Sequence, residues 1–227
     1  MICTPQALAA GDGTAWVSVA GGTQTGSLPA ADCGPLEPPG VRPDVLVASD
    51  LPLQGPSSAR TLAAAVRFVL AQHRFKGGRY SVGFQSCDDS TARAQVSDFF
   101  KCATNARDFG APAKLVAVIG PYDSSCAQIE IPVLNRAPTG PVALVSPSNT
   151  FAGLTRADPG AGTGPAIYYP TGIRNFLRVA SPDDLQGAAQ AVLAGQLHLR
   201  RVAVVSDGGE YGNTLRPGSR RPPVASA

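Results

Sequence analysis

Little in these 227 residues carries concentrated charge, and no part of the chain stays apolar for long. The formal net charge is only +3, and the basic residues are scattered except for a short run at the C-terminus. That excludes the dense positive face expected of a nucleic-acid or anionic-membrane binder. Uninterrupted apolar stretches fall well short of the roughly 20 residues of a spanning helix, so direct membrane insertion is not expected. The start, MICTPQALAA, has neither a basic n-region nor a continuous apolar h-region, and no signal peptide is read there. Histidine is scarce. His73 and His198 lie far apart without thiol or carboxylate neighbours at ligand spacing, and the five cysteines Cys3, Cys33, Cys87, Cys102 and Cys126 include no CxxC pair. The spacing therefore implies no metal site, and the cysteines permit two disulfides with one thiol left over. Also missing are a GxSxG elbow, a GxxxxGK phosphate loop, an HExxH helix and paired carboxylates beside a base. Neither catalysis nor a cofactor is expected, and small solutes are the expected partners.

What remains is the composition of a globular protein, 44% hydrophobic, with its pattern unevenly distributed. Residues 1–43 are rich in Gly, Pro, Ala and Thr and close on GPLEPPGVRP, which reads as a linker; within them GDGTAWVSVAGGTQTGSL also allows a strand pair, a remnant of one propeller blade. From Asp44 the pattern is regular. DVLVASDL is a buried strand, and SSARTLAAAVRFVLAQHRF is a helix with a stripe of Leu62, Val66, Val69 and Leu70, capped by Ser57 or Ser58 and ended by Gly77 and Gly78. YSVGFQS is the second strand, TARAQVSDFFKCATNARDFG a second helix with Val96, Phe99, Phe100 and Ala103 on one face, and LVAVIG the third strand. A helix starting near Ser124, the strand VALVS, a long Gly-rich loop from Ser146 to Thr171 and the strand NFLRVA follow. DDLQGAAQAVLAGQL then predicts a helix facing inward through Leu185, Ala189, Val192 and Leu193, and RVAVVS a strand. Residues 216–227, RPGSRRPPVASA, carry no apolar period and read as a disordered tail.

This alternation predicts an α/β fold on a parallel sheet, with Val45, Leu46, Val47, Val82, Val116, Val118, Ile119, Val142, Leu144 and Val145 buried on both faces. If the second and third strands are neighbours, their following loops bring Cys87 close to Cys126, the disulfide expected here, with Cys102 a small buried hydrophobe on its helix.

Four ordered segments between residues 46 and 212 resemble the type I periplasmic binding proteins, in particular the branched-chain amino acid receptors of ABC transporters. LVASDLPLQGPSSA resembles their opening strand and cleft loop. VAVIGPYDSSCAQ is similar to their third strand and its Ser-bearing loop, and VALVSPSNTFAGLT to the fourth strand with its Ser-Pro-x-x-Thr loop. LRVASPDDLQGAAQAV followed by RRVAVVSDGGEYG resembles the crossover into a second lobe. The resemblance implies a three-layer first lobe over residues 44–180, the start of an incomplete second lobe over 181–215, and a truncated clamp.

It also implies a site. Ser124 stands where the family places a hydroxyl at a helix start, Ser148 where it places a backbone contact, and Thr150 where it places a hydroxyl contact to an amino-acid head group. Asp183 stands where it places an acid facing an ammonium group. Each has a plainer reading: Ser124 as a helix N-cap, Thr150 as an ordinary turn hydroxyl, Asp183 as the cap of its helix. Asp123 departs from the pattern, because an acid beside Ser124 opposes a carboxylate unless it faces solvent or the ligand is not a simple amino acid. The implied function is an extracytoplasmic solute-binding protein, periplasmic or at the cell surface. It would take an amino acid or related small polar ligand and work with an ABC transporter permease or a fused sensor domain. The competing reading is a structural or interaction fragment, or a regulatory sensor domain without a transport role.

Overall fold

The largely apolar segment VLVASDL, with no glycine or proline inside it, forms strand β1 (Val45–Leu51) within the sheet, between β3 and β4. The structure is a computed structural model that describes Leu28, residues 32–93, 96–157 and 164–205, and Tyr211. After β1 come helix α1 (Ser57–Gln72), a two-residue strand β2 (Lys76–Gly77), β3 (Tyr80–Asp88), α2 (Phe99–Gly110), β4 (Leu115–Ile119), α3 (Ser124–Asn135), β5 (Ala143–Ser146), β6 (Phe176–Arg178) and α4 (Asp183–Gln196). Short 3₁₀ turns at Ala152–Leu154 and Pro165–Tyr168 break up the long loop between β5 and β6.

The sheet order is β2-β3-β1-β4-β5-β6. All pairings are parallel except the β2–β3 hairpin, which turns through Gly78 at φ 60°. β1 is therefore flanked by β3 on one side and β4 on the other, and right-handed crossovers place α1 on one face of the sheet and α2 and α3 on the other. The fold is thus the three-layer α/β arrangement expected from the alternation.

The main core lies on the α2–α3 face, where Leu46, Ala48, Val118 and Leu144 pack under Phe109, Ile131 and Leu134. The other face is thinner: only Ala59 and Ala63 of α1 are buried, against Leu51. The expectation of strands buried on both faces is therefore half met. Leu46, Val82, Val118, Val142 and Leu144 are buried, Val45, Val47, Ile119 and Val145 are half-buried, and Val116 is 46% exposed.

Several helical readings are corrected. α2 begins at Phe99 because Asp98 accepts the backbone N–H groups of Phe100 (3.0 Å) and Lys101 (3.2 Å), a strong cap that sets the phase of the helix. Its buried face is then Cys102, Asn105, Ala106 and Phe109, while Phe99 and Val96 are exposed and Phe100 is 86% exposed. α1 starts after Pro56 without a serine cap and ends at Gln72, before the two glycines, and Val69 is exposed. On α4, Leu185, Val192 and Leu193 face solvent, and residues 201–205 form no strand among the described residues.

The cysteine pairing is also corrected. Because β1 separates β3 from β4, Cys87 and Cys126 are not on adjacent strands; the disulfides are Cys33–Cys87 and Cys102–Cys126. The first ties down residues 32–43, expected as the end of a linker, which instead run antiparallel beside β3 with Glu37 and Phe84 exchanging backbone hydrogen bonds at 2.9 Å. The second joins α2 to α3, so Cys102 is buried as expected but bonded. Of the strand pair expected within residues 11–28 only Leu28 is described, outside any strand, and Cys3 and the tail 216–227 lie outside the described residues.

Candidate functional site

In a parallel sheet the crevice opens at the carboxyl ends of the strands, where consecutive connections leave in opposite directions. Here that point lies between β1, whose connection leads to β3, and β4, from which β5 and β6 follow on the other side. The loops after β1 and β4 border it. Residues of the first are anchored sideways: the N–H of Leu53 donates to Asp88 (3.0 Å) and that of Gln54 to the Ser90 hydroxyl (3.0 Å), while the Gln54 amide donates to Asp88 at 2.7 Å. Across the crevice the hydroxyls of Ser58 and Tyr122 lie 3.3 Å apart.

The loops after β4 and β5 are fastened to each other by side chains. Ser146, buried at the end of β5, donates to the carbonyl of Pro121 (2.9 Å) and accepts the N–H groups of Ser148 (3.2 Å) and Asn149 (2.9 Å). The Ser148 hydroxyl donates to the carbonyl of Tyr122 (2.6 Å), which also accepts the Asn149 amide at 2.9 Å. Ser124 accepts the N–H groups of Thr150 (3.1 Å) and Phe151 (3.2 Å), and the carbonyl of Thr150 accepts the N–H of Asp183 at 2.9 Å. Arg178 closes the far side, donating to the Phe151 carbonyl (2.6 Å) and the Thr155 hydroxyl (2.5 Å), and Arg156 pairs with Asp184.

The four residues singled out from the sequence are thus gathered into one cluster, but with specific atoms already engaged. Ser124 sits in the first turn of α3, not at its cap, and its oxygen holds the neighbouring loop. The backbone N–H of Ser148 is held by Ser146. Thr150 is partly exposed, and its hydroxyl has no hydrogen-bond partner among the described residues. Asp183 is buried at the first residue of α4, against the Thr150 carbonyl. Asp123 occupies the N-cap position of α3 and is partly exposed; no side chain caps that helix among the described residues. The first-turn N–H groups of α3, at the positive end of its dipole, therefore carry no side-chain cap beside Ser124.

Ser146 and Asn149, whose buried hydrogen bonds shape the loop, are marked in the sequence only by a Ser/Asn-rich SPSNT at a strand end. Not marked at all are three fully buried acids behind the crevice: Asp50 near the end of β1, Asp89 just after β3 and Glu130 on α3. Burial pushes Asp50 up to about 7 and Asp89 up to about 8, and it drives Glu130 well above the usual carboxylate range. Mutual repulsion reinforces this at Asp89 and Glu130, while the Asn105 amide, donating to Asp50 at 2.8 Å, opposes it. At Asp88 burial also acts upward, but hydrogen bonds from Ser90 and Gln54 outweigh it and hold that carboxyl below the usual range.

No family model and no curated protein matches the chain. Solved structures do. An ABC transporter substrate-binding protein from Desulfitobacterium hafniense superposes with a TM-score of 0.56 at 17% identity, over 77% of this chain and 45% of that one. A leucine binding protein from Thermotoga maritima gives 0.58 at 22% identity, over 77% and 44%. A solute binding protein of an ABC transporter from Rhodopseudomonas palustris, in complex with 3,4-dihydroxybenzoic acid, gives 0.59 at 13% identity, over 77% and 42%. The chain spans less than half the length of these proteins, and what it shares with them is the fold of a lobe of the type I periplasmic ABC transporter substrate-binding proteins.

Proposed function

We propose that this chain contributes one wall of a solute-binding cleft that takes a small carboxylate-bearing ligand, an amino acid or a related acid, without catalysing a reaction. The observation that carries this reading is the uncapped N-terminus of α3 opening beside Ser124 and the Thr150 hydroxyl at the switch point of the sheet. Backbone N–H groups at a helix start are suited to a carboxylate. Thr150 adds a hydroxyl donor, and Asp183, joined to Thr150 through the backbone, supplies an acid able to face an ammonium group. Leucine, isoleucine and benzoates are the ligands named with structures of this fold, and they share a carboxylate. Such a role belongs outside the cytoplasm, in partnership with an ABC-type permease; a fused sensor domain is the other partner of this chemistry. One wall alone buries part of a ligand, so affinity from this chain by itself is expected to be weak.

The test is calorimetry and thermal shift of the purified chain against leucine, isoleucine, benzoate and their amides or esters. A ligand bound only by the folded state raises the melting temperature. Carboxylates raising it where their amides do not, with the effect lost in Thr150→Val, supports the reading. Equal response to acids and amides contradicts it, and the chain is then better described as an interaction fragment.

A further inference from the structure

Behind the crevice, outside the loops assigned to the ligand, the structure brings together three side chains that the sequence keeps apart. One carboxylate oxygen of Asp89 and the sulfurs of Cys102 and Cys126 all lie within 4.8 Å of one another, and all three residues are buried. Asp89 Oδ1 has no hydrogen-bond partner among the described residues, while Oδ2 accepts the Ser97 hydroxyl at 3.1 Å. A buried carboxylate oxygen with no donor is costly, and a cation satisfies it as well as a proton does. Lys101 does not fill that role: its ammonium is held by Asp32 (3.1 Å), by the Ser90 carbonyl (2.7 Å) and, more loosely, by Asp88 (3.6 Å).

We propose that Asp89, Cys102 and Cys126 form a binding site for a zinc-class divalent cation in the reduced chain, and that closing the Cys102–Cys126 disulfide abolishes it. Two thiolates and one carboxylate form a borderline-soft donor set that favours zinc or cobalt over calcium or magnesium. In a tetrahedral zinc site the sulfurs lie about 3.8 Å apart, which fits inside the present envelope once the S–S bond is open. The ligands come from the loop after β3, from α2 and from α3, so the ion would join α2 to α3 as the disulfide does and add the loop after β3. The two states exclude each other because each uses the same sulfur electron pairs.

Opening is a thiol–disulfide exchange with a dithiol. One reductant thiolate attacks one protein sulfur and the S–S bond breaks with its electron pair on the other. The second reductant thiol then closes the reductant's own disulfide, and the two protein sulfurs end with two electrons and two protons gained. The divalent cation next displaces the protons from both thiols and from the carboxyl group, so binding releases protons and weakens as pH falls.

The experiment titrates cobalt(II) into the reduced, oxygen-free full chain carrying Cys3→Ser, with binding read from the thiolate-to-cobalt absorption. One equivalent should bind to the reduced chain and none to the oxidised chain. Asp89→Asn should weaken binding at least tenfold, Cys102→Ser with Cys126→Ser should abolish it, and Cys33→Ser with Cys87→Ser should preserve it. Zinc should raise the melting temperature of the reduced chain but not that of reduced Asp89→Asn. The proposal is overturned if the band survives loss of Cys102 and Cys126, if Asp89→Asn binds as well as the parent, or if the reduced chain shows no band. A reduced chain that stays unfolded with cobalt present overturns it too.

Discussion

The hydroxyl oxygen of Ser124, in the first turn of α3, accepts the backbone N–H of Thr150 at 3.1 Å from the loop after β5. One side chain thereby sets the spacing of the loops after β4 and β5, and it also takes the N–H of Phe151 at 3.2 Å. Ser124→Ala should leave both N–H groups without that acceptor, a loss of about 1–3 kcal/mol in urea unfolding. Ser148→Ala removes only a donor to the Tyr122 carbonyl, which the Asn149 amide still serves, and should cost less. If the two variants are equally stable, the loops are not held through Ser124.

Gly120 makes the crevice possible at its floor. At φ 143° its α-carbon rests against the carbonyl of Asp50, and a methyl group there would collide with that backbone. Gly120→Ala should destabilise the chain by more than about 2 kcal/mol, measured as the shift in denaturation midpoint, because neither the conformation nor the neighbouring backbone can yield. Gly164→Ala, whose added carbon would meet open space, is the control and should change little.

The buried acids predict an unusual pH dependence. Asp50 has a folded pKa of about 7 against an ordinary 3.8, and Glu130 is raised well above its ordinary 4.5. Between those limits the native state holds more protons than the unfolded chain, so their contribution is complete below about pH 4 and is lost as pH rises through about 7. Asp89, itself raised to about 8, acts in the same sense, and at Asp50 the charge of Asp88 adds to the rise while that of Lys101 opposes it. The lowered carboxyl of Asp88 acts in the opposite sense at the acid end. Urea midpoints should therefore fall between about pH 5 and about pH 8, and Asp50→Asn should flatten that slope. A midpoint that rises across the interval would show that Asp50 and Glu130 are charged in the folded protein.

Peptide mapping of the oxidised protein should find Cys33 joined to Cys87 and Cys102 to Cys126. The Cys33–Cys87 bridge closes a span of 54 residues, and the chain-entropy relation gives about 4 kcal/mol for its loss in Cys33→Ser. Recovery of a Cys87–Cys126 peptide would mean a different strand order.

How much of this was legible beforehand depended on whether the determinant is local. Apolar runs such as VLVASDL and LVAVIG announce parallel strands wherever they pack, and the loops carrying Ser124, Ser148, Thr150 and Asp183 follow from where strands end. The order of those strands is a non-local fact: placing β1 between β3 and β4 decided the disulfides, and no pattern within one segment encodes it. The phase of α2 turned on the single cap Asp98, whose competition with the apolar stripe of Val96, Phe99 and Phe100 is invisible to periodicity alone. Nothing in the local pattern singles out Asp50, Asp89 and Glu130, which only the fold buries.

Leu185, Val192 and Leu193 of α4 and Leu197 just after it face solvent, as do Val202 and Val204, and Val205 is 92% exposed. Apolar side chains gathered on one helix and the segment after it offer a surface for association. Residues 201–205 also carry strand-forming side chains with no strand beside them among the described residues, which leaves backbone groups able to pair with another chain. The purified protein should therefore associate as its concentration rises, in a manner strengthened by salt that screens its +3 charge. Leu193→Lys with Val205→Lys should shift the population toward monomer in sedimentation velocity, while the unfolding midpoint changes little because neither side chain contributes to the core. A substitution on the exposed part of α2, Phe100→Lys, tests the location: if it alone abolishes association and the α4 pair does not, the sticky surface is the α2 side and the assignment to α4 is wrong.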